Sequence, residues 1–163
     1  MKDLSDRISV QNVVAPRRIQ SEFLFSEAID TSGFESLTIV FHIGEVGSSF
    51  IDFTGHYYIL YLYHSDEPST NFSLVNNNAD VLDADVSSGY FKFIGSVGHG
   101  LSFLDPSSTG AVTRIGYRGS KRYLRTVISG QAINVNNGVV IGVDAIKSHA
   151  RHSQDNAFEI HNA

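Results

Sequence analysis

The chain has 163 residues, no cysteine and a formal net charge of −5. This fits one domain of roughly 100–200 residues and excludes a disulfide framework, a thiolate zinc site and a cysteine nucleophile. Acidic and basic residues are interspersed, so we expect no direct nucleic-acid binding, which draws on clustered Lys and Arg. The opening MKDLSDRISV lacks an apolar core and no apolar run approaches ~18 residues, so we expect neither a signal peptide nor a membrane span.

Alternation of apolar and polar residues predicts short strands along most of the chain. ISVQNVVA and SEFLFSEAID predict one or two strands near the start. ESLTIVFHIG places every second residue on one apolar face, namely Leu37, Ile39, Phe41 and Ile43. HYYILYLYH is apolar or aromatic on both faces, which is typical of a central strand in a two-layer sandwich. Further short strands follow in GYFKFIG, GLSFLD, VTRIGYRG, KRYLRTVISG and NNGVVIGVDAI.

These strands predict an all-β fold, an antiparallel β-sandwich that is jelly-roll-like. No segment keeps a helical apolar period for three turns, and residues 76–89 are predicted to be a short helix or a long loop. The polar stretch 64–89 is predicted to be a long loop excursion. We expect a sandwich domain over residues 1–146, followed by a tail or arm over residues 147–163.

The C-terminal stretch loses the strand pattern and leaves two interpretations open. It is a frayed tail, or it is an arm that docks on a neighbouring subunit. Phe158 and Ile160 lie two positions apart, so an extended arm would turn both side chains to one side. They are therefore candidate interface residues.

Three short motifs have residue types that occur in catalytic or metal sites. HSD at 64–66 puts a triad's residue types side by side, but neighbours on a strand point to opposite faces, so a turn is favoured. Asp83 and Asp85 lack the spacing of a calcium loop. His149 and His152 could share a helical face, but no third metal ligand is placed.

The remaining candidates are weaker. GSVGHG at 95–100 has the glycines of a phosphate loop without the Lys-Ser/Thr that should follow. Three further histidines are scattered between strands and are interpreted as framework residues: His42, His56 and His99. We therefore expect no enzyme activity, no cofactor and no metal site.

GYRGSKRYLR at 116–125 concentrates positive charge in this acidic chain. The pattern predicts a hairpin in which RGSK turns the chain and Gly119 supplies a positive-φ position. Tyr123, Arg125 and Val127 should then alternate with Leu124, Thr126 and Ile128. The cations are candidates for contacts with another subunit or an acidic surface: Arg118, Lys121, Arg122 and Arg125.

This stretch also resembles part of a group of small virion proteins of tailed bacteriophages. The similarity lies in the Tyr, the Gly-containing turn and KRYLR, and also in MKDLSDRISVQNVVAP, IDTSGFESLTIVFHIG and INVNNGVVIGVDAI. It covers roughly residues 1–45 and 112–146, whereas the middle of the chain is longer and more aromatic than in the group. Members are β-sandwich proteins, and several act as capsid cement or decoration proteins.

The resemblance implies a structural protein on the outer surface of a capsid, with the major capsid protein as its partner. It also implies self-association, as a homotrimer or a dimer. Two other functions stay open: a neck or tail adaptor protein, and a carbohydrate-binding β-sandwich module. The seven tyrosines would serve the latter, although four of them lie in HYYILYLY, where core packing is expected.

Overall fold

The computed structural model describes residues 7–20, 23–46, 57–84, 86, 89, 91–94, 111–131 and 138–149. These residues form eleven strands and no α-helix, as the alternation predicted. The strands are β1 (Ile8–Ile19), β2 (Phe23–Phe25), β3 (Ile29–Asp30), β4 (Ser36–Val46), β5 (Tyr57–Ser65), β6 (Ser73–Leu74), β7 (Val81–Leu82), β8 (Phe91–Ile94), β9 (Ala111–Tyr117), β10 (Tyr123–Gln131) and β11 (Val139–Ser148).

The strands form two antiparallel sheets that pack as a sandwich, which confirms the predicted fold class. The first sheet has the order β1-β11-β4-β9-β7 and the second the order β2-β10-β5-β6. In the second sheet β3 also pairs with β10, and β8 with β5. If β2 and β3 are taken as one interrupted strand, β1-β11-β4-β9 faces β2/β3-β10-β5-β8, which is the strand order of a jelly roll.

The core lies between the sheets and is built from the predicted alternation. Leu37, Ile39, Phe41 and Ile43 on β4 are only 0–3 % exposed. Burial of each such side chain contributes about 1.5–3 kcal/mol relative to leaving it in water. The facing strands contribute Tyr58, Leu60, Leu62, Leu124 and Ile128.

One buried hydroxyl group joins the two sheets. Tyr58 on β5 donates a hydrogen bond to the carbonyl oxygen of Ile19, at the end of β1. The hydroxyl oxygen of Tyr58 in turn accepts a hydrogen bond from the backbone N–H of Val139, at the start of β11, at 3.0 Å. Tyr58 is fully buried, so its ring is part of the core while its hydroxyl group pairs two backbone groups of the opposite sheet.

Strand β1 forms one edge of the first sheet and is interrupted twice. Its register against β11 shifts between Asn12 and Val14 and again between Val14 and Arg17. Pro16, which cannot donate to a neighbouring strand, lies inside the second irregularity. A Cβ on Gly142 would lie 2.9 Å from Cγ of Pro16, so the bulge packs directly on a glycine. Bulges and proline are devices that protect an edge from further strand pairing.

The stretch 64–89 contributes to both sheets. Within it β6 pairs with β5 in the second sheet, and β7 pairs with β9 in the first. Residues 76–89, predicted to be a short helix or a long loop, contain one 3₁₀ turn at Asn78–Asp80. Asn77 caps this turn by accepting a hydrogen bond from the N–H of Ala79. None of the helical segments that the structure describes is long and apolar enough to cross a membrane.

Candidate interaction surface

The loop 118–122, called the basic loop below, crosses from one sheet to the other. The predicted hairpin is wrong, because β9 pairs with β4 and β7 in the first sheet whereas β10 pairs with β2, β3 and β5 in the second. The predicted alternation after the loop is correct, since Leu124, Thr126 and Ile128 are buried. The loop is therefore a corner at one end of the sandwich.

The side chain of Tyr117 stabilises this corner by contacts with His64, Gly119 and Lys121. Its hydroxyl group lies 2.9 Å from Nδ1 of His64 and accepts a hydrogen bond from the N–H of Lys121. A Cβ on Gly119 would lie 2.5 Å from Cζ of the Tyr117 ring. The described glycines with positive φ are Gly33 and Gly89, so the expectation for Gly119 is wrong. Gly119 is needed because an aromatic ring packs against its backbone.

Burial sets the protonation of this pair. It raises the pKa of Tyr117 to about 12 and lowers the pKa of His64 from its ordinary value of 6.5. Both groups are therefore neutral at pH 7. The contact between a neutral histidine and a neutral phenol at the corner is a structural hydrogen bond.

The three cations of the basic loop have acceptors within the same chain. The guanidinium Nε of Arg118 donates to the carbonyl oxygen of Ala79 at 2.7 Å. Lys121 pairs with Asp66. Their contact with another subunit or an acidic surface stays a prediction, and such contacts would compete with these intrachain partners.

Arg122 and Asp30 form the best-defined ion pair of the corner. Nε and one terminal nitrogen of Arg122 donate to the two carboxylate oxygens of Asp30 at 2.9 and 2.8 Å. This hydrogen bonding lowers the pKa of Asp30 to about 2. The pair fastens the end of β3 to the start of β10.

The Asp30 pair predicts a specific acid sensitivity. The folded pKa of about 2 lies below the ordinary 3.8, so the pair stabilises the fold above pH 3.8 and this contribution is lost as the pH falls towards 2. We expect Asp30→Asn to melt below the wild type at pH 6, and the difference to shrink between about pH 4 and pH 2. Thermal melting over this range measures it, with Asp83→Asn as the exposed control. A difference that does not change with pH would contradict the prediction.

A polar cleft of about 370 Å³ opens beside the corner. Its walls are the loop 31–37 and the basic loop. Its charged lining residues are Glu35, Lys121 and Arg122, and the two cations are already paired with Asp66 and Asp30. The cleft therefore offers hydroxyl and backbone groups and the exposed carboxylate of Glu35.

Arg125 differs from the three cations of the basic loop. It lies on β10, and its guanidinium carbon is 4.5 Å from the centre of the Phe72 ring. Its Nε is buried without a hydrogen-bond acceptor. No carboxylate of the described residues pairs with it.

Aromatic side chains surround Arg125 on the outer face of the second sheet. Of the tyrosines expected in the core, Tyr58 is buried there, but Tyr61 and Tyr63 are half-buried on the outward side of β5. Tyr63 lies opposite Arg125 in the register of β5 and β10. Phe23 and Phe25 at the β2 edge are each 62 % exposed. Sequence reasoning missed these phenylalanines, although their alternation in SEFLFSE was a usable signal.

The outer face of the first sheet carries a group of hydrogen-bonded polar side chains. Asp144 on β11 accepts hydrogen bonds from the amide of Asn12 at 2.8 Å and lies 2.9 Å from Nε2 of His42. Asp144 thus links β1 to β4 through its contacts with Asn12 and His42. His42 has a framework partner, as predicted.

The motif at 64–66 lies where β5 ends, with His64 and Ser65 in the strand and the favoured turn beginning at Asp66. His64 points to Tyr117, the hydroxyl group of Ser65 donates to the carbonyl oxygen of Thr70 at 2.8 Å, and Asp66 pairs with Lys121. The three side chains therefore do not meet as a triad.

The other candidate motifs also lack a site among the residues described. Asp83 lies 3.9 Å from Arg114, and Nδ1 of His149 lies 3.2 Å from the hydroxyl group of Ser36. No group of three or more potential metal ligands occurs in the described part of the chain. The rest of the candidates lie outside the described residues: Asp85, His152, His56, His99 and the stretch 95–100.

The first two residues of the candidate arm, Lys147 and Ser148, belong to strand β11. Strand β11 continues through Ser148, and Lys147 points inward, with its Nζ 5.2 Å from the centre of the Phe34 ring. Burial lowers the pKa of Lys147. Phe158 and Ile160 lie outside the described residues, so their role stays a prediction.

No protein-family model and no curated protein matches the chain. Among solved structures, the chain is similar to a structure of the Gx strain of infectious bursal disease virus, with 10 % identity and a TM-score of 0.28 over 87 % of this chain and 42 % of that one. It is also similar to the VP2 subviral particle of the same virus, with 10 % identity and a TM-score of 0.29 over 88 % and 41 %. The chain thus spans about two fifths of these proteins, and the likeness is too weak to indicate a function.

Proposed function

We propose that the chain is a structural virion protein of a tailed bacteriophage that binds the outer surface of the capsid as a cement or decoration protein. The observation that carries the proposal is the jelly-roll body, an architecture that viral capsid domains use. Because one fold hosts many functions, the proposal rests equally on the resemblance of roughly residues 1–45 and 112–146 to such virion proteins.

The side-chain chemistry supports a binding role rather than catalysis. The candidate catalytic groups of the described residues each have a structural partner, such as His64 with Tyr117 and His42 with Asp144. A cement protein needs a rigid body and a surface matched to the shell. Binding only to the assembled shell would stabilise it by mass action.

The proposed partner is the major capsid protein, and the proposed assembly is a homotrimer, with a dimer as the alternative. A symmetric oligomer fits a symmetry axis of the shell. The arm 147–163 with Phe158 and Ile160 would extend contacts between neighbouring subunits.

The test is the binding of purified protein to heads of the encoding phage assembled without it. We expect saturable binding at shell-wide copy number and a higher melting temperature of the decorated heads. Quantitative gel densitometry and scanning calorimetry measure the two quantities. A copy number that matches a single ring would indicate the neck or tail adaptor instead, and no binding to any particle would refute a virion role.

A carbohydrate-binding module is the second candidate, because Tyr61 and Tyr63 both lie on the outward side of β5. Their ring centres are 6.4 Å apart and their planes are tilted by 40°. Glycan-array binding that depends on these two rings would favour this function over the capsid role.

A further inference from the structure

The outer face of the second sheet has an unusual composition. We call it the Arg125 face and define it by the outward positions of β2, β5 and β10 whose side chains are described. They are Phe23, Phe25, Ile59, Tyr61, Tyr63, Ser65, Tyr123, Arg125, Val127 and Ser129. None of these positions is acidic, and Arg125 is the one charged residue among them.

The apolar side chains of this face form a continuous layer. Val127 lies between Phe25 and Tyr61 in the register, and it is only 3 % exposed although it points away from the core. Ile59 on β5 is likewise only 5 % exposed. Phe23 and Phe25 continue the layer to the sheet edge, where each is 62 % exposed. The surface part of the layer therefore consists of these two phenylalanines and the half-buried Tyr61 and Tyr63, and adjoining apolar side chains at a surface mark an interaction site.

Arg125 is a positive charge on this face that has no partner carboxylate among the described residues. Its guanidinium lies on the Phe72 ring, its Nε lacks an acceptor, and no carboxylate of the described residues pairs with it. The nearest acid in the register, Asp30 opposite Tyr123, is held by Arg122. A carboxylate on the occupant of the face would pair with this guanidinium.

This charge argues against a second copy of the chain as the occupant. A two-fold contact brings the same patch of both copies together. Two Arg125 faces would then bring together two guanidinium groups, while the carboxylate at their margin, Asp30, is held by Arg122. Charge complementarity favours a different molecule.

The composition favours a protein occupant. The centres of protein interfaces are enriched in Tyr, Phe and Arg and depleted in Lys, Glu and Asp. Single residues of the Tyr and Arg type account for most of the binding energy at such centres. We infer that the Arg125 face is the surface that docks on the capsid shell, against a capsid-protein patch in which a carboxylate is surrounded by apolar side chains. The identity of the partner rests on the proposed function.

The test measures binding to heads of the encoding phage assembled without this protein. We expect Arg125→Glu to weaken binding about tenfold or more, the effect of losing an interface anchor. Phe25→Ser should weaken it by a similar factor. Arg125→Lys should retain part of the affinity, because it keeps the charge but loses the planar guanidinium. Melting temperature and circular dichroism establish that each variant folds.

Matched controls come from the opposite sheet. Arg114→Glu and Val112→Ser make the same kinds of change at exposed positions of β9 and should leave binding unchanged. If the wild type binds heads and Arg125→Glu binds equally well, the Arg125 face is not the docking surface and the proposed function stands. If the wild type does not bind heads at all, the proposed function and this inference both fail.

Two further measurements identify the other occupants. Sedimentation of Arg125→Glu alone would reveal a self-association face by a change in oligomer mass. Binding of alginate, a carboxylate polysaccharide, that is lost in Arg125→Glu while head binding is kept would reveal a glycan surface. Either result would overturn the inference.

Discussion

Replacement of Tyr58 by Phe should lower the free energy of unfolding by about 2–6 kcal/mol, although it removes only one oxygen atom. The hydroxyl group pairs with the carbonyl oxygen of Ile19 and the N–H of Val139, both at buried positions. Phe at this position would leave one acceptor and one donor without partners, and each orphaned group costs about 1–3 kcal/mol. The ring itself would still fill the core.

Urea denaturation followed by circular dichroism measures this loss. Tyr63→Phe is the matched control, because Tyr63 lies on the same strand but is half-buried on the outer face. We expect its effect to be much smaller. Equal stability of Tyr58→Phe and the wild type would show that the hydroxyl group does not join the sheets.

Replacement of Gly119 by Ala should destabilise the fold by about 1–3 kcal/mol, the usual cost of forcing a methyl group into a packed site. The new Cβ would lie 2.5 Å from Cζ and 2.7 Å from Cε2 of Tyr117, and one of the two must move. Tyr117 is buried and its hydroxyl group contacts His64, so displacement of its ring also breaks that hydrogen bond.

Ser120→Ala is the control for the basic loop, because Ser120 is exposed and adjacent to Gly119. We expect this variant to melt like the wild type. A Gly119→Ala protein of unchanged melting temperature would mean that the corner yields to the extra methyl group at no cost.

The fold class was predictable from local pattern because burial in a two-layer sandwich repeats every second residue. Leu37, Ile39, Phe41 and Ile43 follow this period and are all buried. The same period places the side chain of Leu124 inward and that of its neighbour Arg125 outward.

Strand pairing was not predictable, because it depends on contacts between residues far apart in the sequence. A short basic turn between two alternating segments suits a hairpin and a crossover between sheets equally well. The difference lies in Tyr117, whose ring folds beneath Gly119 and has His64 as its partner, 53 residues away. Nothing in GYRGSKRYLR reveals that contact.

The candidate surface was only partly predictable. Arg125 was singled out for its charge, but its difference from Arg118, Lys121 and Arg122 depends on acceptors elsewhere in the chain, such as Asp30 and Asp66. Tyr61 and Tyr63 were assigned to the core because HYYILYLYH is apolar on both faces. Whether such a strand is covered on both sides depends on the tertiary structure, and here the outer side of the sheet is partly open.

The pairing of β1 with β11 has a kinetic consequence. Ile8 lies opposite Ser148, so the first strand acquires its partner only after about 140 further residues have been synthesised. At about 5–20 residues per second, the nascent β1 waits for roughly 7–28 seconds. Such non-local pairing also slows refolding of the complete chain. The bulges and Pro16 that protect the β1 edge would be most valuable in this interval, when nascent chains on one messenger are close together.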